Sequence, residues 1–370
     1  MKTLLCFGTR PEAIKMAPLY HELKSKNFEV VVCVTAQHRE MLDQVLNFFE
    51  IVPDYDLNLM QLNQGLNGLS AKILSKIDEV LVIERPDLVL VHGDTTTSSM
   101  VALAAFHLGI KVGHIEAGLR TYNKKAPFPE EINRQITSRL VDVHFTPTTE
   151  ATQNLLKECI LQKDIIETGN TVVDALLWTT NKISKKDYNH PEIEKLKKEI
   201  PNDKKIVLVT GHRRESFESG LKNLCQALLK VAEREDVIIL YPVHLNPNVK
   251  KVVYELLSEK ENIYLIPPVS YPAFVWLMQQ SFLIITDSGG IQEEAPSLGK
   301  PVLVTRDVSE RQEGVKAGVS TLVGTDKNKI LNAVHTTLDH FISFEKIINP
   351  YGNGDASKKI VEYLLIKMSE

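Results

Sequence analysis

The sequence predicts two doubly wound α/β domains, and three observations lead there. At 370 residues the chain exceeds the size at which a single hydrophobic core keeps growing, so two domains are expected. Short apolar runs alternate with longer segments whose apolar residues recur at i, i+3 and i+4. The short runs are continuous rather than alternating, as in strands buried on both faces, and such strands form parallel sheets covered by helices.

In the first half the strand candidates are Lys2–Gly8, Glu29–Thr35, Leu88–Gly93, Lys111–Glu116 and Asp142–Thr146. In the second half they are Lys205–Thr210, Val237–Pro242, Ile263–Pro267, Phe282–Thr286, Pro301–Thr305 and Ser320–Val323. Ala13–Lys24 and Leu221–Arg234 show the helical spacing. Asp54-Tyr55-Asp56 matches an acidic pair that can bind metal, a weak pattern, and reads as loop. The first domain is assigned to residues 1–170 and the second to residues 171–353. Between them the polar, Lys-rich run Asn181–Lys204, with Pro191 and Pro201, reads as a surface helix with loops. Residues 354–370 make a last element expected to pack back on the first domain. Asp355–Met368 is amphipathic there, with Ile360, Val361, Leu364, Leu365 and Met368 on one side.

Composition narrows the function. With 43% hydrophobic and 24% charged residues and no low-complexity tract, the chain has the makeup of a soluble globular protein. A net charge of −4 without a concentrated basic stretch argues against nucleic acid as the main partner. No apolar run approaches the ~20 residues of a membrane span. Lys2–Gly8 reads as a strand rather than a signal peptide, so a cytoplasmic location is expected. Cys6, Cys33, Cys159 and Cys225 are widely spaced and read as reduced core thiols. No metal-type cysteine or histidine spacing occurs. The chain has no G-x-G-x-x-G, and Gly299-Lys300 is followed by Pro301, so neither a Rossmann dinucleotide fingerprint nor a Walker A loop is present.

Polar residues gather just after the predicted strands, where this architecture places its ligands. Asp287-Ser288-Gly289-Gly290-Ile291-Gln292-Glu293-Glu294 follows one strand and opens a helix. Its glycines let backbone N–H groups close around an anion. Glu293 and Glu294, one turn further in, suit sugar hydroxyls. An ordinary strand-to-helix turn is the plainer reading of Ser-Gly-Gly taken alone. After the first strand, Gly8 frees the turn, Pro11 suits the first helical position, and Arg10 and Lys15 supply cations fit for a diphosphate. Surface charges capping a helix are the alternative.

Asp94, in His92-Gly93-Asp94-Thr95, is either an N-cap or a catalytic carboxylate. Glu116, in Glu116-Ala117-Gly118-Leu119-Arg120, ends a buried strand, which is harder to explain structurally. Glu130 and Glu131 follow Pro127-Phe128-Pro129 at a helix start, where a carboxylate is also a routine dipole partner. Three acids from consecutive βα connections point to a catalytic cluster. In the second domain His212, in Thr210-Gly211-His212-Arg213-Arg214-Glu215, suits a diphosphate contact or proton donation. His244 carries the same ambiguity. A structural histidine is the alternative for both.

As a set, Gly8-Thr9-Arg10-Pro11-Glu12, His92-Gly93-Asp94-Thr95, Glu116-Ala117-Gly118-Leu119-Arg120, Thr210-Gly211-His212-Arg213-Arg214-Glu215 and the Asp287–Glu294 segment resemble the non-hydrolysing bacterial UDP-N-acetylglucosamine 2-epimerases. The resemblance spans essentially the whole chain, with the motifs in the family's order. It implies a GT-B architecture, two Rossmann-like domains with UDP in the cleft. It implies interconversion of UDP-N-acetylglucosamine and UDP-N-acetylmannosamine for surface polysaccharide, with neither NAD nor metal as cofactor, by a homodimer. On the family's pattern Arg10 and Lys15 contact the substrate, Asp94, Glu116 and Glu130 are the acid/base carboxylates, and His212 lies by the diphosphate. Ser288, Gly289 and Gly290 bind phosphate, Glu294 holds the ribose, Phe274 packs near uracil, and Arg311 lies nearby.

The reaction explains that residue set. The C2 hydrogen of the sugar has no adjacent carbonyl, so direct deprotonation is prohibitive. Departure of UDP from C1 gives an oxocarbenium-like centre that acidifies the C2 proton. Elimination leaves a 2-acetamidoglucal, and UDP returns with protonation on the opposite face. Cations on the leaving diphosphate and carboxylates around C1 and C2 are what this route requires.

The family's pattern also implies a second, activating substrate site, drawn here from Gln37, His38, Arg39 and His244. This chain has Glu40 where the family has glutamine, and no arginine between Met41 and Ile83. A carboxylate repels a diphosphate, so weakened or absent activation is expected. A hydrolysing 2-epimerase releasing free N-acetylmannosamine and UDP shares many of these motifs. A GT-B glycosyltransferase needs at most one base, against which the three acids argue. A non-catalytic nucleotide-sugar binder would tolerate loss of Asp94, Glu116 or Glu130.

Overall fold

The computed structural model describes residues 1–35, 39–59, 64–211, 219–307, 311–340 and 349–369. Within it the chain divides into two units, Met1–Ala175 with Tyr351–Glu370, and Leu176–Pro350. Unit 1 runs β1 (Lys2–Phe7), α1 (Arg10–Ser25), β2 (Glu29–Val34), α2 (Arg39–Phe48), β3 (Tyr55–Asp56), α3 (Leu66–Glu84), β4 (Leu88–His92), α4 (Thr96–His107), β5 (Lys111–Ile115), α5 (Glu130–Leu140), β6 (Val143–Thr146), α6 (Thr149–Lys157) and β7 (Ile165–Glu167). Helix α7 (Thr171–Ile183) carries the division between units. Unit 2 continues with α8 (Pro191–Glu199), β8 (Lys205–Thr210), α9 (Gly220–Val231), β9 (Val237–Pro242), α10 (Pro247–Leu257), β10 (Ile263–Ile266), α11 (Tyr271–Gln280), β11 (Leu283–Thr286), α12 (Gly289–Glu294), β12 (Val302–Val304), α13 (Gln312–Lys316), β13 (Ser320–Leu322) and α14 (Lys327–Asp339). The last helix, α15 (Ala356–Ser369), belongs to unit 1.

Each predicted strand is present, and no end moves by more than one residue. Among the described residues the unit 1 sheet has the order β3-β2-β1-β4-β5-β6-β7, and the unit 2 sheet the order β10-β9-β8-β11-β12-β13, with every pairing parallel. Continuous apolar strands are buried on both faces, as the pattern required. On one face of unit 1, Leu4, Cys6, Val31, Cys33, Val89 and Val91 pack with Ile73, Ile77, Val101 and Ala105 of α3 and α4. In unit 2, Val207, Val209, Ile239 and Ile285 pack with Leu224, Leu228, Val249 and Val334. Strand order reverses between β1 and β4 in one sheet and between β8 and β11 in the other. Ligands of such sheets bind outside the carboxyl ends at this switch point.

Two local readings change. Tyr55–Asp56 is an edge strand beside β2 rather than loop, pinned where Val32 N donates to Asp54 Oδ2 at 2.7 Å. Two residues carry too little pattern to announce a strand. Cys6, Cys33 and Cys225 are buried and unpaired, whereas Cys159 is exposed just past α6, with φ +63°. Helix α15 packs on α1 and buries Ile360, Val361 and Leu364. Its first turn is capped by the buried Asp174, which accepts from Ser357 N at 2.7 Å. Among the described residues no helix is long and apolar enough to cross a membrane.

Three buried histidines, His92, His114 and His144, lie on the adjacent strands β4, β5 and β6. Burial pushes their pKa down to about 4 for His92 and His114 and about 3 for His144. Because the folded values lie below the unfolded one, the neutral rings contribute stability in full above about pH 6.5 and lose it as the pH falls toward 4. Substituting His144→Leu is therefore expected to flatten the fall in Tm across that range, as followed by circular dichroism. An unchanged slope would mean that His144 is charged in the fold.

Candidate active site

At the switch point of unit 1, the turn after β1 is dictated by space rather than by unusual dihedrals. A Cβ at Gly8 would stand 2.1 Å from Thr35 Oγ1 and 2.8 Å from Thr97 Oγ1. Those two hydroxyls, one just past β2 and the other in the first turn of α4, hydrogen-bond to each other at 2.8 Å. Glycine is thus needed for close approach, and the expected freeing of the turn is not what it supplies. Thr9 then caps α1 in a capping box with Glu12, which starts the helix at Arg10, half-buried at its N-terminus.

The turn after β4 removes the N-cap reading of Asp94. Thr95, not Asp94, is the N-cap of α4, accepting from Ser98 N at 3.1 Å. The Asp94 carboxylate lies 3.6 Å from the Arg134 guanidinium, and its carbonyl accepts from Asn133 Nδ2 at 3.0 Å. Burial raises its pKa, with Glu116 and Glu130 adding to the rise and Arg134 and Lys15 opposing it. Glu116 and Glu130 therefore each lie within electrostatic range of Asp94.

Glu116 follows β5 with φ +63°, a left-handed conformation that costs a non-glycine residue about 1 kcal/mol. Its Oε2 forms a buried ion pair with Lys15 and accepts from Asn170 Nδ2 at 2.8 Å. His92 Nε2 stands 3.8 Å from the same oxygen. Gly118, at φ +89°, leaves no room for a side chain, since a Cβ would lie 2.3 Å from the Ala151 carbonyl oxygen.

The neighbours Glu130 and Glu131 separate cleanly. Glu131 is fully buried and accepts from Thr121 N at 3.0 Å, Tyr122 N at 2.9 Å and Gln135 Nε2 at 2.7 Å, with Arg134 Nε 3.3 Å away. It builds the loop that precedes α5. Glu130 opens α5 half-buried, one residue earlier.

Unit 2 carries a different chemistry at its own switch point. Thr210 and Thr286 hydroxyls bond across the ends of β8 and β11 at 2.7 Å. The half-buried Ser288 stands at the N-cap position of α12 without a side-chain capping bond, and its N–H donates to Thr286 Oγ1 at 3.0 Å. Arg311 lies over the turn, its guanidinium 3.1 to 3.4 Å from where a Cβ of Gly289 would be, and its Nε donates to Glu293 Oε1 at 2.8 Å. Gly290 has no such crowding, with only Glu294 Oε2 nearby at 3.9 Å. Glu293 is thereby committed to Arg311. Glu294 Oε1 accepts from the Tyr271 hydroxyl at 2.8 Å. Phe274, half-buried, sits one turn along α11 from Tyr271.

His212, Gln37 and His38 lie outside the described residues, as does the side chain of Arg39. His244 is exposed between β9 and α10, its Nδ1 accepting from Asn246 N at 3.1 Å. Sequence reading assigned no part to Asn170, Arg134 or Tyr271. Only Asn170 has a local signal, a Gly-Asn pair at the boundary the sequence predicts between the domains.

Two Rossmann-order sheets, with acids at one switch point and an arginine-covered Ser-Gly-Gly turn at the other, define a two-unit α/β enzyme. The model of the UDP-N-acetylglucosamine 2-epimerase family matches residues 21–365. UDP-N-acetylglucosamine 2-epimerase of Escherichia coli K12 is 53% identical over 369 residues, covering 98% of each chain. The crystal structure of UDP-GlcNAc 2-epimerase from Neisseria meningitidis bound to UDP-GlcNAc is 50% identical, with a TM-score of 0.92 over 99% of this chain and 100% of that one. The Methanocaldococcus jannaschii enzyme in complex with UDP-GlcNAc and UDP is 34% identical, with a TM-score of 0.85 over 99% and 100%. The chain belongs to the UDP-N-acetylglucosamine 2-epimerase family.

The adjacent glutamates give a direct test of structure against chemistry. Glu131→Ala is expected to lower stability by about 2–4 kcal/mol, because it strips buried donors of their acceptor. Glu130→Ala is expected to leave Tm within a few degrees of wild type and to abolish turnover. Thermal unfolding of both variants beside an activity assay checks this, and equal Tm losses would contradict it.

Proposed function

We propose that this protein interconverts UDP-N-acetylglucosamine and UDP-N-acetylmannosamine without net hydrolysis, by reversible elimination and re-addition of UDP. The observation that carries the reading is the grouping of Asp94, Glu116 and Glu130 with Lys15 at the carboxyl end of the unit 1 sheet. The substrates named for the relatives support it. Arg10 and Lys15 neutralise the leaving diphosphate, and the acids act around C1 and C2. The environments of Asp94 and Glu116 differ usefully. Burial favours the proton on Asp94, whereas Lys15 and Asn170 favour the charge on Glu116. One group thus suits giving a proton and the other accepting one.

In unit 2, Ser288, Gly289 and Gly290 hold phosphate, Glu294 the ribose and Phe274 the uracil. Arg311 stiffens the turn through Glu293 and adds positive charge above it. His212 completes the diphosphate contacts. The protein works as a cytoplasmic homodimer without added cofactor, supplying N-acetylmannosamine units for surface polysaccharide. At Gln37, His38, Arg39 and His244 the activating site is weakened by Glu40.

Proton NMR with UDP-N-acetylglucosamine in D2O and no added cofactor tests the reading. Growth of UDP-N-acetylmannosamine signals with deuterium at C2 is expected. Asp94→Asn, Glu116→Gln and Glu130→Gln should each slow it by about 100- to 10,000-fold, the range for general acid–base groups. Free N-acetylmannosamine with UDP would place the protein among hydrolysing enzymes. An unchanged spectrum would remove the catalytic reading.

A further inference from the structure

Glu12 is a buried carboxylate that the proposed chemistry does not use. It is 2% exposed in the first turn of α1, and burial raises its pKa. A capping-box glutamate needs only to reach back to its own N-cap, and it does so at the helix surface. Here one oxygen, Oε2, already takes Gly8 N at 3.1 Å, Thr9 N at 2.8 Å and Thr9 Oγ1 at 2.7 Å. The other oxygen reaches across the sheet, where Thr95 Oγ1 donates to Oε1 at 2.8 Å. A cap alone does not call for a charge removed from water, because glutamine would serve with less desolvation.

The location explains the expense. Strands β1 and β4 are neighbours only because the chain order reverses between them, and Glu12 joins the two connections that leave their carboxyl ends. On one side it fixes Thr9, next to Arg10. On the other it fixes Thr95, the N-cap of α4 and next to Asp94, whose carbonyl is held from the far side by Asn133. The links run Arg10–Thr9–Glu12–Thr95–Asp94–Asn133.

We infer that Glu12 is a positioning residue of the epimerisation, and that its bridge to Thr95 sets where Asp94 stands relative to Arg10 and Lys15. The inference rests on the role proposed above for Asp94. Glu12 touches no reacting atom. It acts by removing freedom between a loop that holds the diphosphate and a loop that handles a proton, so its loss lowers turnover more than binding.

Glu12→Gln keeps the shape and the contacts of Oε2 but presents an amide NH2 to Thr95, whose hydroxyl must then accept instead of donate. Thr95→Val removes the bridge together with the α4 cap that Thr95 makes with Ser98 N, while leaving the α1 capping box intact. It provides the test should Glu12→Gln not fold. Ser98→Ala beside it keeps the bridge but removes the Ser98 hydroxyl bond to the Thr95 carbonyl, and so reports what a weakened start of α4 does alone. For each variant the expected result is a kcat lower by about 10- to 100-fold with KM within about threefold of wild type. Thr95→Ser should recover most of what Thr95→Val loses, and the double variant should be no worse than the poorer single one. A folded Glu12→Gln or Thr95→Val with kcat within twofold of wild type would overturn the inference. Asp94→Asn in the same assay separates the two readings. If it is inactive while the bridge variants turn over normally, only the role of Glu12 fails. If Asp94→Asn keeps its kcat, the catalytic reading fails and the positioning role with it.

Discussion

Lys15 and Glu116 meet where water is almost excluded, and a charge there is tolerable only with a partner. Much of the unit 1 site follows from that constraint. Glu116 takes a left-handed backbone at the end of β5, collects Asn170 from the connection after β7, and has His92 beside it as a neutral ring. Arg134 spans Asp94 and Glu131 in the same way. Removing Lys15, Glu116 or Arg134 leaves a buried charge uncompensated, so the group stands as a unit rather than as a sum of contacts.

Topology then explains why so few residues suffice. Each unit reverses its strand order once, and each gathers its polar groups there. The same scaffold carries opposite chemistry in the two units: acids with a buried lysine in unit 1, and an arginine over a glycine turn in unit 2. Hydroxyl pairs stand at both: Thr210 with Thr286 ties the ends of β8 and β11, and Thr35 just past β2 bonds Thr97 in the first turn of α4. A backbone plan that builds one crevice per sheet leaves the loop residues to decide what each crevice does.

The fold was legible because strands buried on both faces must be continuous apolar runs, and runs such as Leu88–Val91 are short and bounded. The two-residue strand Tyr55–Asp56 was not, since its pairing with β2 rests on backbone bonds and on Asp54 rather than on side-chain pattern. The motifs around Gly8, Asp94, Glu116 and Gly289 were visible as polar breaks after strands. Their partners were not. Asn170 lies 54 positions from Glu116, and Tyr271 lies 23 from Glu294.

By itself the sequence determined where strands end and which ionisable residues stand at the turns that follow. Hydrophobic period and local composition govern both, and these are properties of neighbouring residues. The need for glycine at Gly8 and Gly118 comes instead from remote residues, Thr35, Thr97 and Ala151. Only the tertiary structure decided that Thr95 rather than Asp94 caps α4, that Glu131 is consumed by its loop while Glu130 beside it is not, and that Glu12 belongs to two connections at once. Those outcomes depend on which donors strand order brings within 3 Å or so of each carboxylate, a pairing that no local propensity encodes.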